Sequence, residues 1–443
     1  MNCFSSLNQH DSRNDLVSGG AKCRYGLLLC LTWCTACGAP ASESQLPTDP
    51  SEYRIDYVVR PNPATGTVDV TLTLSQGRAL LRELTMQPDS RSSGFEADGD
   101  LDITDQKVRW VPPKEGGRIS WYVDVEHRRN DSGYDAWLGT DWGLFRAEDI
   151  IPRAATRTLK GARSETWLAL NLPNGWSAVT QYFSNNKKIR VNNPKRRFDQ
   201  PSGWMVLGNL GVRREKIAGI RVAVAGPIDH SVRRLDTLAL LNWTLPELAR
   251  LLPTLPPRLT IVSAGEPMWR GGLSAPRSLY LHADRPLISE NATSTLLHEV
   301  MHLSLALSAD DGYDWIVEGL AEYYSLELLN RSGSISDSRY ALARADLADW
   351  ATRATTLCRQ SSTGATTALA VGILSTLDRE IRDLSDGNAS LDDVTRELTA
   401  LGPGIGLADL TDIAERIAGA KPDILHIDNL PGCRNIAINN HRQ

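Results

Sequence analysis

The hydrophobic period of this 443-residue chain changes once, near Pro227, and that change sets what the chain can fold into. From about 53 to 225, runs such as YRIDYVV, VDVTLTL, RISWYVDV, TWLALNL and IRVAVAG alternate apolar and polar residues and are rich in β-branched and aromatic types. Such alternation, punctuated by Gly, Pro, Asn and Asp clusters, predicts a β-sheet domain of antiparallel strands. Beyond 227 the pattern turns helical. A helical stretch at 235–252 is expected to be interrupted at Pro246. Strands at 259–263 and 278–282 flank a loop with Gly265, Gly271 and Gly272, and Ser289 is the expected N-cap of a helix running to about 307. A second helix is expected at 313–330 with Asp314 near its start, and others at 336–352, 365–384, 391–400 and 406–418. Because a single core stops growing near roughly 250–300 residues, two or three domains are expected. The fold class is therefore α+β and multidomain: a β-sheet domain at 51–227, a mixed domain at 228–332, a helical domain at 333–435 and a tail at 436–443.

The start of the chain carries a different signal. GLLLCLTWCTA at 26–36 is apolar and follows Lys22 and Arg24; it is too short to span a bilayer but fits the apolar region of a signal peptide. Cys37, after Thr35 and Ala36 and before Gly38, resembles the lipidated cysteine of a bacterial lipoprotein, although Cys34 stands where Leu is usual. The expectation is a signal peptide at 1–36, a flexible tether at 37–50, and export with a lipid anchor on the cell envelope, facing the periplasm or outside. The alternative is an ordinary signal peptide cleaved nearby. Of the seven cysteines, Cys3, Cys23, Cys30 and Cys34 would leave with the signal and Cys37 would carry lipid. Cys358 and Cys433 remain, and in an exported chain they are expected to form a disulfide, the alternative being two separate buried thiols. The net charge of -5 argues against nucleic acid as a partner.

The chemistry concentrates in two segments. His298-Glu299-Val300-Met301-His302 puts two imidazoles at i and i+4 on one helix face, one turn apart, a spacing that suits one small cation. Glu299 is rotated away from the two histidines, so its carboxylate reaches a water on the metal without competing as a ligand. Glu318 lies in WIVEGLAEYY on the following helix, among Trp315, Ile316 and Leu320, where an unpaired carboxylate would be costly. Two imidazoles, one carboxylate and an open fourth position describe catalytic zinc. Glu322, one turn further on, is expected to accept the free ring N–H of a ligand histidine, or else to be an exposed helix glutamate. Asp310, Asp311 and Asp314 read as loop and capping residues, and His282 as a satisfied strand histidine.

HEVMH at 298–302 and WIVEGLAEYY at 315–324 resemble the gluzincin metallopeptidases, and within them the glycyl aminopeptidase family, distant relatives of aminopeptidase N. Weaker echoes are LFRAEDIIPR at 144–153, LPNGWSAVT at 172–180, FDQPSG at 198–203 and the segment 372–398. The resemblance implies a thermolysin-like catalytic domain at 228–332, zinc as cofactor, His298, His302 and Glu318 as ligands, and a peptide or protein substrate. It also implies a substrate-binding strand at Gly271-Gly272-Leu273-Ser274. There the family has Gly-Gly-Leu-Glu-His, with the glutamate holding a free amino terminus, and this chain has Ser274-Ala275. The family's oxyanion-stabilising tyrosine falls at Leu369, and Tyr280, His282, Tyr324 and Tyr340 are candidates to replace it. The expected function is peptide hydrolysis with Glu299 as general base, and the rival is a zinc-binding, catalytically weak or inactive lipoprotein that binds peptides or partner proteins.

Overall fold

A computed structural model of the chain describes residues 47, 49–182, 184, 188–191 and 198–434. The expected signal peptide, Cys37, most of the tether and the tail at 436–443 lie outside the described residues. Alternation becomes sheet as the sequence implies. Strand Glu52–Asn62 buries Tyr53, Ile55, Tyr57 and Val59, and Thr67–Ser75 buries Val68, Val70, Leu72 and Leu74 opposite it. They belong to a six-stranded sheet that continues through Gly116–Asp124 to Ser92–Ala97 on one side and through Arg163–Leu170 to Lys188–Val191 on the other. One pair departs from the antiparallel expectation: Glu52–Asn62 runs parallel to Arg163–Leu170, with Tyr53 beside Ser164. A parallel neighbour needs a long crossover, and the intervening hundred or so residues supply it by forming the other strands of this region.

A five-stranded sheet follows, in the order Leu210–Ile217, Ile220–Pro227, Arg258–Ala264, Ser278–His282, Gly272–Ala275. Ile220–Pro227 pairs in parallel with Arg258–Ala264, Val222 beside Leu259, so hydrogen bonding runs straight across the position where the sequence period changes. Position 227 marks a change of element type and not the edge of a sheet. Gly272–Ala275, where the local pattern put a loop glycine and the family resemblance a strand, is a short edge strand paired only with Ser278–His282.

Eight helices are described. α1 is a single turn, Ala147–Ile150. α2, Arg234–Leu251, runs unbroken through Pro246, contrary to expectation. The proline costs about 3 kcal/mol in a helix interior, and burying Leu241, Leu245, Leu248 and Leu251, at about 1.5–3 kcal/mol each, outweighs it. α3 is Thr295–Leu305 and starts five residues later than the Ser289 reading placed it. Ser289 instead closes a turn, its Oγ accepting from the N–H of Thr293 at 3.0 Å, and Ala292 sits in the left-handed region at φ +57. Ser294 is the N-cap, its Oγ accepting from Leu297 N–H. α4 is Asp314–Arg331, α5 Asp337–Ala351, α6 Ala365–Leu384, α7 Leu391–Leu401 and α8 Leu407–Ala418.

α4 is buried on nearly every side, which places it at the centre of the helical half. Gly319 lets α6 press against it: a Cβ there would lie 2.8 Å from Ala370 Cβ. A disulfide joins Cys358, in the loop before α6, to Cys433. Among the described residues no helix is long and apolar enough to cross a membrane.

Candidate active site

α3 and α4 pack side by side, and their facing turns bring three side chains to one point. His298 and His302, one turn apart on α3, direct their Nε2 atoms toward each other at 3.0 Å. Glu318 on α4 places Oε2 3.4 Å from His298 Nε2 and Oε1 3.3 Å from His302 Nε2. Four ligands around one zinc at 2.0–2.1 Å stand about 3.3 Å from one another, the edge of the tetrahedron. The three separations observed are close to that edge, so His298, His302 and Glu318 fit three corners around a single cation.

Electrostatics say the same. Burial works against a charge on His298, yet the hydrogen bonds its ring donates to Glu318 and Glu322 win and push its pKa up to about 10. Burial also opposes charge on Glu318, but its hydrogen bonds to the two histidines bring it down to about 2. The cluster is thus built to hold positive charge. Glu322 Oε2 lies 2.9 Å from His298 Nδ1, the contact that leaves Nε2 free to face a metal. It faces the histidine and not solvent.

Glu299 lies beside this face without being part of it. Burial raises its pKa above the ordinary carboxylate range, against the pull of His298 and His302 and a hydrogen bond from Ser274. Gly272 makes room for it. A Cβ at that position would come within 2.6 Å of Thr295 Cγ2, 3.0 Å of Glu299 Cγ and 3.3 Å of its Oε1. Ser274, read in the sequence as a missing amino-end anchor, therefore has a contact of its own, with the Glu299 carboxylate.

A cavity of about 500 Å³ opens onto His298, Glu299, Glu318 and Glu322. Its walls include Gly271, Gly272 and Trp269 on one side, and Leu347 and Trp350 of α5 with Thr363, Thr367 and Ala368 around the start of α6 on the other. These far-wall residues were missed in the sequence, which carries no local signal that 347–368 folds back over 298. The tyrosine candidates do not reach the cavity. Tyr280 donates its hydroxyl to Trp269 O at 2.8 Å, Tyr324 is engaged with Asp392 and Thr395, and Tyr340 donates to Glu327. Leu369 is half-buried and packs against the main core. His282 is fully buried; its Nδ1 accepts from Asp284 N–H at 3.2 Å, but Nε2 has no partner, so only half of the expectation of a satisfied histidine holds. Asp314 carries the N–H of Ser362 at 2.6 Å. Glu266 is exposed and paired with Arg270 at 2.9 Å, away from the cavity.

No protein-family profile matches the sequence, and no curated protein matches it significantly. Solved structures do. An aminopeptidase N family protein from Idiomarina loihiensis superposes with TM-score 0.59 over 87% of this chain and 75% of its own, at 18% identity. A mutant M1 zinc metallopeptidase from Deinococcus radiodurans gives TM-score 0.53 over 83% and 91% at 17% identity, and was also solved with a Tyr-Ser-Ala substrate. Yeast LTA4 hydrolase gives TM-score 0.51 over 84% and 65% at 13% identity. The fold, a β-rich first part followed by a helical one, is that of these M1 metallopeptidases.

Proposed function

We propose that a chain with this fold and this cluster is a zinc-dependent metallopeptidase with a thermolysin-like catalytic region, hydrolysing peptide bonds with Glu299 as general base. One observation carries the reading: three side chains occupy three corners of a tetrahedron while a fourth, buried carboxylate stands beside the face and is not a corner. Zinc held by His298, His302 and Glu318 would acidify water and polarise a scissile carbonyl. The chain's own residues do the rest. Glu299 is placed to take the proton of the attacking water and pass it to the leaving amine. Glu322 fixes the ring of His298 by holding its Nδ1–H.

The reading extends to location. We place the protein outside the cytoplasm, lipid-anchored through Cys37 to a bacterial envelope, and the Cys358–Cys433 disulfide supports an oxidising compartment.

A second reading has one observation in its favour. No tyrosine hydroxyl lines the cavity among the described residues, and losing one oxyanion donor costs roughly a hundredfold to a thousandfold in turnover. A zinc-binding, catalytically weak lipoprotein that holds peptides would suit that loss. The two separate by one experiment: the purified chain is given mixed peptides with and without zinc, beside Glu299→Gln. Zinc-dependent cleavage abolished by Glu299→Gln with zinc retained supports the hydrolase. Peptide binding with no turnover in either protein supports the rival.

A further inference from the structure

Resting on the hydrolase reading, we propose that the substrate is an internal stretch of polypeptide that passes through the site, so that the enzyme cuts as an endopeptidase and anchors neither chain end. The geometry that points there is a second cavity, of about 680 Å³. It is bounded by Ser274, Ala275 and Arg277 at the far end of the edge strand and by His302, Leu303 and Ser304 along α3. The cavity described above meets the same strand at Gly271 and Gly272 and the same helix at Thr295, His298 and Glu299. Strand and helix are therefore met in the same order. The two cavities thus lie on successive stretches of the same strand and helix, with His298 and Glu318 lining the first and His302 the second, and a chain that followed the strand would pass from one to the other across the cluster. Each alone has the volume of an ordinary ligand site of about 300–1,000 Å³. A site built to hold one chain end needs room on only one side.

The backbone and the charges agree. Gly272–Ala275 is an edge strand, hydrogen-bonded on one side only, and an extended chain can add to its open side. Leu273 O is already taken by Trp204 Nε1 at 2.9 Å, which leaves the rest of that edge for the substrate. The second cavity contains no carboxylate. Its one charge is Arg277, half-buried and without an ion pair among the described residues, and Leu255, Pro256 and Pro257 add an apolar wall. A free ammonium placed there would meet a like charge and no partner, which is unfavourable once partly desolvated. A neutral peptide backbone, or an acidic side chain near Arg277, suits the same surface. On the other side the carboxylates Glu299, Glu318 and Glu322 are committed to Ser274 and the histidines, and among the described residues the other charge lining the cavity is Arg285.

The test uses the zinc-loaded full chain and an octapeptide in three forms, one acetylated and amidated, one amidated only and one with both ends free, with products identified by mass spectrometry. Internal cleavage of the blocked peptide, at a kcat/KM within about tenfold of the free one, is expected. Stepwise loss of first residues from the free peptide alone would overturn the inference while leaving the hydrolase reading intact. The same holds if amidation alone abolishes cleavage, which would make Arg285 a carboxylate anchor. Thr254, exposed at the rim of the second cavity, provides the structural arm. Thr254→Trp should lower kcat/KM for the blocked octapeptide at least tenfold more than for a free tripeptide. If no peptide is cut, the hydrolase reading fails and the groove is judged by binding. Fluorescein-labelled blocked octapeptide should bind zinc-loaded Glu299→Gln, and Thr254→Trp added to it should weaken that binding at least tenfold. Equal affinity with and without Thr254→Trp would overturn the inference.

Discussion

The metal cluster makes a quantitative prediction about protons. In the metal-free protein His298 has its pKa raised from an ordinary 6.5 to about 10, while Glu318 falls from an ordinary 4.5 to about 2. A raised histidine stabilises the fold below its unfolded pKa and loses that contribution as pH climbs through about 10. A depressed carboxylate stabilises above its unfolded value and loses that contribution as pH falls through about 2. The metal-free protein therefore has both contributions in full between about 4.5 and 6.5. The same proton that stabilises it obstructs the metal, because zinc takes the neutral imidazole and must displace a proton from His298. At pH 7 the obstruction is about three pH units, a factor of about a thousand or roughly 4 kcal/mol in apparent affinity. Apparent affinity should then rise about tenfold per pH unit from 7 to 9, with about one proton released per zinc. Zinc titration against a competing chelator gives the slope, and calorimetry in buffers of different ionisation enthalpy gives the proton count. An affinity flat across that range would show that His298 does not hold the proton, and with it that Glu318 and Glu322 do not set its charge.

Other consequences follow from single contacts. Glu322→Gln keeps the side chain but weakens the acceptor 2.9 Å from His298 Nδ1, so zinc affinity should fall about 10–100-fold by the same chelator assay, with the fold unchanged by circular dichroism. Glu318→Ala removes a corner of the cluster, and elemental analysis after dialysis should find zinc largely lost; full occupancy would mean the third ligand lies elsewhere. Cys358→Ser opens a link between residues 75 apart in sequence, which in the chain-entropy model removes about 4 kcal/mol, readable as a lower denaturant midpoint. Gly319→Val puts carbon where Ala370 and Leu374 already stand, so it should destabilise by about 1–3 kcal/mol on overpacking grounds, whereas Gly372→Ala, exposed on α6 with open space around it, should be neutral or stabilising.

What the sequence made legible follows the range of the interactions. His298, Glu299 and His302 lie within one and a half turns of a helix, so their geometry is dictated by helical period alone. Glu318 needed one more assumption, that the next helix returns antiparallel, and its apolar neighbours made a buried partner necessary. Strand alternation was equally readable where a strand buries one face, as Thr67–Ser75 does. The errors came where long-range packing overrides a local preference. Ser289 is a good N-cap in isolation, but its hydroxyl is used by Thr293, and the helix begins at Ser294. Pro246 should break a helix, yet the leucines beside it are buried against the sheet and keep α2 whole. Ser274 could be compared with relatives by position, but that its hydroxyl would meet Glu299 depends on how closely the edge strand approaches α3, which Gly272 permits. The wall carrying Trp350 and Thr367 was invisible for the same reason.

The two classes of residue also differ in how freely they can change. The cluster residues and Glu299 stand on α3 and α4, whose other faces are buried among Leu297, Val300, Met301, Trp315, Ile316 and Leu320, so a shift of either helix would disturb a packed core. The groove is walled by a short edge strand, the loop at 254–257 and the turn before α6, elements with one side free. Substitution there would reshape the groove without moving His298, His302 or Glu318. That separation accounts for how Ser274 can depart from the family pattern while His298, Glu299, His302 and Glu318 keep it. A changed specificity on a retained centre therefore demands less of the fold than a centre lost and rebuilt.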